Sequence, residues 1–182
     1  MFFSRSRKWK KVGDAALAEV QPLVALAERQ TGRKISVLRD DDYFLGFIAG
    51  QCGLFIKRAE REGVKLDQVD TGTILFLVID QIYGKSVIDQ KRLGDLLNGI
   101  PKPNSDFVRG SENAAKIYFL LYGRHKLHDD PDYKAALDAV RRGVGNEFNR
   151  FGSPGSEDQN VASLLMAQYF LQPAIEKLGR RS

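Results

Sequence analysis

Apolar residues recur at every third or fourth position along most of this chain, which is the spacing of a helix with one buried face. The clearest stripe follows Asp130-Pro131 and consists of Tyr133, Leu137, Val140, Val144, Phe148 and Phe151. The continuous apolar run 74–79 would also suit a strand, but no second segment of similar strength is available to pair with it. The sequence therefore predicts an all-α protein.

Helix-starting and helix-ending residues divide the chain into about seven helices. One helix is bounded by Asp40-Asp41-Asp42 and Gly63, because aspartates satisfy the free N–H groups of a helix start and glycine suits a helix end. We predict that the first helix runs from Gly13 to Gln30, and that it either kinks at Pro22 or gives way there to a second helix with the proline in its first turn. The remaining predicted starts are Asp70 or Thr71, Ser86, about Ser111, Asp130 and Ser156, and the last helix kinks or restarts at Gln172-Pro173.

Three segments are apolar on nearly every face, namely residues 44–56, 74–83 and 117–122. We expect them to form central helices that the one-sided helices surround, with Leu77 and Leu120 deeply buried. A chain of 182 residues suits one compact unit. We therefore predict a single domain over residues 12–182.

The net charge of +5 arises at the N-terminus, because five cations and no acid lie within residues 1–11, whereas the other 23 basic residues balance 23 acids. We interpret residues 1–11 as a tail that meets an anionic surface, and the alternative is a disordered solubilising tail that binds no partner. Its candidate contacts are Phe2, Phe3, Arg5, Arg7, Lys8, Trp9, Lys10 and Lys11. Aromatic rings favour the bilayer interface, so we expect an acidic membrane rather than nucleic acid. Without a secretory signal, the protein is expected in the cytoplasm, with peripheral membrane attachment as the alternative.

Gly46, Gly50 and Gly53 are spaced at i, i+4 and i+7, which places them in one stripe on a predicted helix. Each glycine costs about 1 kcal/mol relative to alanine in a helix interior, so a close approach should offset the cost. The stripe predicts helix packing or an interface. Packing within the chain, a homo-oligomer contact and a groove for an apolar ligand remain open.

Few residues suggest catalysis. His125 and His128 are the only histidines, and the neighbouring Arg124 and Lys126 oppose a metal cation. Cys52 is the only cysteine and lacks a nearby base, which indicates a buried structural thiol. We expect no metal or cofactor. The preferred hypothesis is a helical regulatory or interaction module that binds a protein partner or itself. The alternatives are an enzyme with a site near His125 and His128, a nucleic-acid-binding protein, and an apolar-ligand pocket.

Overall fold

The computed structural model describes residues 2–84, 90–98, 105–122, 127, 129–143 and 156–179, and every regular element in these ranges is helical. The helices are α1 (Phe2–Thr31), α2 (Asp42–Arg61), α3 (Gln68–Tyr83), α4 (Gln90–Asn98), α5 (Asp106–Tyr122), α6 (Pro131–Arg141), α7 (Glu157–Met166) and α8 (Gln172–Gly179). A short 3₁₀ turn covers Ile35–Leu38, and a π turn at Ala167–Leu171 joins α7 to α8 without a break. Counting α7 to α8 as one rod gives seven helices, so the predicted all-α class is confirmed.

Local capping sets several of the helix starts. The Asp41 carboxylate accepts the backbone N–H groups of Tyr43 and Phe44 at 3.1 and 3.3 Å, as predicted for α2. Two predicted starts are wrong. Helix α3 begins before Asp70, because Asp67 and Asp70 form a capping box in which Asp70 is the third helical residue. Helix α5 begins at Asp106 rather than near Ser111, and the Ser105 hydroxyl accepts the Val108 N–H at 3.3 Å.

Helix α1 is longer than predicted, since it begins at Phe2 rather than Gly13 and continues through Pro22. Residues 2–11 are therefore the first turns of a 30-residue helix. Helix α1 runs parallel to α3: the side chain of Trp9 meets Asp70, and Gly13 faces Ile74 and Val78 further along. Packing of α1 against α3 thus extends into residues 2–11.

Helix α2 occupies the centre of the molecule and lies antiparallel to α3, because Glu60 near its end meets Thr71 near the start of α3. Helix α5 runs parallel to α2. The contacts advance together along the two helices, from Gly46 with Phe107 to Gln51 with Ala114 and Phe55 with Tyr118. Residues of α1, α3, α5, α6 and the α7–α8 rod complete the core around α2.

The expectation that residues 74–83 and 117–122 are buried on every face is wrong. Leu77 is 43% exposed and Tyr122 is 41% exposed, and Leu120 is only half-buried. Each of these helices packs on the core through one side, so its continuous apolar run also places residues on the solvent side. Segment 44–56 alone is buried almost throughout, because helices cover α2 on several sides.

Candidate functional site

A polar network joins α5, α6 and the π turn. The Lys116 ammonium lies 2.7 Å from an Asp130 carboxylate oxygen and 3.1 Å from one of Asp132, and the Tyr169 hydroxyl donates to Asp132 at 2.5 Å. Burial opposes the charged form of Lys116, yet the two carboxylates raise its pKa overall. Burial likewise opposes the charged form of Asp130, but hydrogen bonds from Lys116 and the Tyr133 N–H lower its pKa. The charges stabilise one another, so the arrangement holds helices together.

The π turn extends this network to α2. Pro173 has no N–H, so it cannot donate to the carbonyl of Tyr169 four residues earlier. The Tyr43 hydroxyl donates to that carbonyl instead at 2.7 Å, and the Asn113 amide donates to the Tyr43 oxygen at 3.1 Å. The proline was the only part of this arrangement that the sequence signalled. These hydrogen bonds tie the π turn to α2 and α5.

The aspartates before α2 bind cations of the protein itself. The Arg92 guanidinium lies 3.0 Å from an Asp40 carboxylate oxygen and 2.6 Å from one of Asp42, and Asp41 pairs with Lys177. Across the residues with assigned positions, no group of three or more His, Cys, Asp and Glu side chains could hold a metal ion. His125 and His128 lie outside the described residues.

Cys52 lies in the core of α2 and is fully buried. Burial raises the pKa of its thiol to about 12. The thiol is thus protonated at neutral pH, which is the state of a structural rather than a nucleophilic cysteine.

The glycine stripe divides into two parts. A Cβ atom at Gly46 would lie 2.1 Å from the Phe107 carbonyl oxygen, and one at Gly50 would lie 2.9 Å from the Ser111 Cα. These two glycines let α5 approach α2 closely. Gly110 on α5 serves the same contact, since its Cβ would lie 2.1 Å from the Tyr43 carbonyl oxygen. The sequence analysis missed Gly110, because it lacks a glycine partner at helical spacing within its own helix.

Gly53 faces open space, with no atom within 4 Å of a Cβ built there. It lines a groove between α2, α3 and α5 with a volume of about 230 Å³, which we call the Gly53 groove. The other lining residues are Ala49, Gly50, Leu54, Lys57, Leu75, Phe107, Ser111 and Ala115. The walls of the groove are thus mostly apolar, with one cation on its rim.

The predicted N-terminal contacts are placed at the start of α1. The side chains of Phe2, Phe3 and Arg5 lie outside the described part of the structure. The indole N–H of Trp9 donates to an Asp70 carboxylate oxygen at 2.8 Å, and its ring packs against the core. Trp9 is therefore engaged within the fold, and its ring is not free to enter a bilayer.

The cations of this segment differ in their partners. Lys10 pairs with Asp14 one turn later at 2.6 Å. Arg7, Lys8 and Lys11 have no carboxylate within ion-pair distance among the residues that the structure describes, and Arg7 and Lys11 are exposed. Three of the predicted cations thus lie on α1 without an ion-pair partner in the described ranges, and the segment that carries them is helical.

Two further cations lie at the same end of the molecule, one at the last residue of α2 and one just beyond it. Arg61 and Lys65 are exposed and lack an ion-pair partner within the described ranges. The contacts of Trp9 with Asp70 and of Thr71 with Glu60 bring the start of α1 and the end of α2 to this end. We call Arg7, Lys8, Lys11, Arg61 and Lys65 the basic end. Arg61 and Lys65 were not predicted as part of this surface, because at least 50 positions of chain separate them from Lys11.

Comparison of this chain with protein-family models, curated proteins and solved structures gives no match. None of the helices in the described ranges is both long and apolar enough to span a bilayer.

Proposed function

We propose that this protein is a helical interaction module that attaches peripherally to acidic membrane surfaces through its basic end. The observation that carries the proposal is the set of cations at this end that have no carboxylate partner among the described residues. Of the acids nearby, Asp14 binds Lys10, Glu62 binds Arg58, Asp67 and Asp70 cap α3, and Glu60 accepts from Thr71 at 3.5 Å. The five cations of the basic end are therefore available to bind an external anion.

The position of these cations opposes the stability of α1. No acid stands in the first turn of α1, although the positive end of the helix dipole favours one there. Arg7 and Lys11 are four residues apart and Lys8 and Lys11 three apart, so they repel one another on the helix surface. Each such pair costs about 0.2–0.5 kcal/mol. An anionic surface would relieve this repulsion. Binding such a surface therefore explains the clustered cations, which do not stabilise the fold.

Exposed apolar side chains at the same end favour a bilayer over nucleic acid. Val69, beside Asp70 at the start of α3, is 69% exposed, and Tyr122 is 41% exposed with the Arg58 guanidinium 4.9 Å from its ring centre. A lipid interface accommodates apolar groups among cations, whereas the phosphate backbone of a duplex offers them no comparable environment. That the module also binds a protein, either a partner or a second copy of itself, remains a prediction from the sequence.

The proposal is tested by sedimentation of the full chain with vesicles of phosphatidylcholine, with and without phosphatidylglycerol. We expect binding to the acidic vesicles that weakens with salt. Each basic residue near an acidic surface contributes about 1 kcal/mol, so Arg7→Glu with Lys11→Glu should lower the partition coefficient about 30-fold or more.

The matched control is Arg29→Glu with Arg142→Glu, which changes the net charge equally at exposed positions away from the basic end. It should bind nearly as well as the unaltered chain. Equal loss in both double variants would show that only net charge matters, and it would contradict the proposal. So would binding to duplex DNA that is tighter than binding to acidic vesicles.

A further inference from the structure

We infer that the Gly53 groove binds a small anionic amphiphile, such as a medium-chain carboxylate, with its chain along the groove and its head group at Lys57. This is a second binding site, and it does not depend on attachment to a membrane.

The groove is a space that the fold leaves unfilled. Helices α2 and α5 are in close contact at Gly46 and Gly50, but a Cβ at Gly53 would touch nothing. A glycine at this position costs about 1 kcal/mol relative to alanine in a helix interior, and no neighbouring helix requires it. Gly53 therefore keeps open a space that an alanine or a larger residue would narrow.

The walls match a hydrocarbon chain in size and chemistry. Leu54, Leu75 and Phe107 supply large apolar surfaces, and Ala49 and Ala115 supply small ones. A volume of about 230 Å³ is below the usual range for a drug-sized ligand and far below the space that a docked helix occupies. The occupant that fits is one short flexible chain.

The rim determines the charge of the head group. Lys57 is exposed, and it has no ion-pair partner among the residues in the described ranges. No acidic residue lines the groove. A carboxylate at the rim would meet an ammonium with no competing anion on the wall, which favours an anionic over a neutral or cationic amphiphile.

The test is calorimetric titration of the full chain, without vesicles, by decanoate, decanol and decylamine below the concentrations at which they form micelles or separate. We expect decanoate to bind with one site per chain. Decanol should bind at least about tenfold more weakly, and decylamine more weakly still. Lys57→Met should reduce decanoate binding to the level of decanol.

Gly53→Leu fills the groove without a backbone clash and should abolish decanoate binding. Gly72→Leu is the matched control, since Gly72 also lies in a helix with no atom within 4 Å of its Cβ but lies outside the groove lining. Circular dichroism should show that both variants stay folded. Should Gly53→Leu fail to fold, Ala115→Phe, which narrows the groove from α5, takes its place. Decanoate binding that survives filling of the groove, equal affinity for decanol, or no binding by the unaltered chain would each overturn the inference.

Discussion

At the scale of single residues, Tyr83 carries a buried polar atom with no hydrogen-bond partner in the described part of the protein. Its side chain is 1% exposed, and its hydroxyl has no hydrogen-bond partner there. Burial raises the pKa of this phenol, so the group stays neutral. A buried donor without a partner carries its full desolvation cost.

We therefore predict that Tyr83→Phe increases the free energy of unfolding by about 1 kcal/mol, as measured by urea denaturation. The matched control is Tyr133→Phe, because the equally buried Tyr133 donates to Asp158 at 3.1 Å. That variant should lose about 1 kcal/mol. A destabilised Tyr83→Phe variant would show that the hydroxyl has a partner after all.

At the scale of helices, the α2–α5 contact depends on glycines at defined positions. In Gly46→Ala, the new methyl group would lie 2.1 Å from the Phe107 carbonyl oxygen, so the two backbones must separate. We expect a loss of about 1–3 kcal/mol or more in the free energy of unfolding. Gly53→Ala meets nothing and should instead gain up to about 1 kcal/mol. Guanidinium denaturation of both variants measures the difference, and similar values would contradict the close-packing role of Gly46.

The sequence predicts helix ends well where the cause is local. Asp41, Asp130 and Ser156 accept N–H groups two or three residues away, and this pattern is visible in the chain itself. Contacts between distant residues leave no such pattern. The partnership of Trp9 with Asp70 spans 61 residues, so the start of α1 looks like a free basic tail in sequence. The candidate sites are the hardest features to predict from the sequence, because the groove and the basic end each combine residues from separate helices.

At the scale of the whole molecule, folding favours the protonated form of several groups that titrate at high pH. Burial raises the pKa of Cys52 to about 12 and raises that of Tyr83, while burial and the carboxylate of Asp132 raise the pKa of Tyr169. The pKa of Lys116 is raised by its carboxylates. A group whose pKa is raised in the folded state contributes stability that is fully present below its unfolded-state pKa. This contribution is lost as the pH rises through the folded-state pKa.

Because the ordinary pKa values are 9.0 for the thiol and 10.0 for the phenols, we predict that the free energy of unfolding falls steadily above pH 9. Urea denaturation at intervals from pH 7 to about pH 11 measures the effect. Tyr169→Phe should lower stability at pH 7 but reduce the decline at high pH, since one titrating group is removed. A constant free energy over the whole alkaline range would refute the prediction.

The parallel pairing of α2 with α5 has a consequence for the order in which the chain is made. The α2 face that carries Gly46 and Gly50 is covered by residues that lie about 60 positions later, at Phe107 and Ser111. At about 5–20 residues per second, a ribosome needs several seconds to add that length. During this interval the nascent chain presents an apolar helix whose glycine-bearing face is uncovered. A chaperone that binds apolar segments would find its clearest target in this protein there, before α5 emerges.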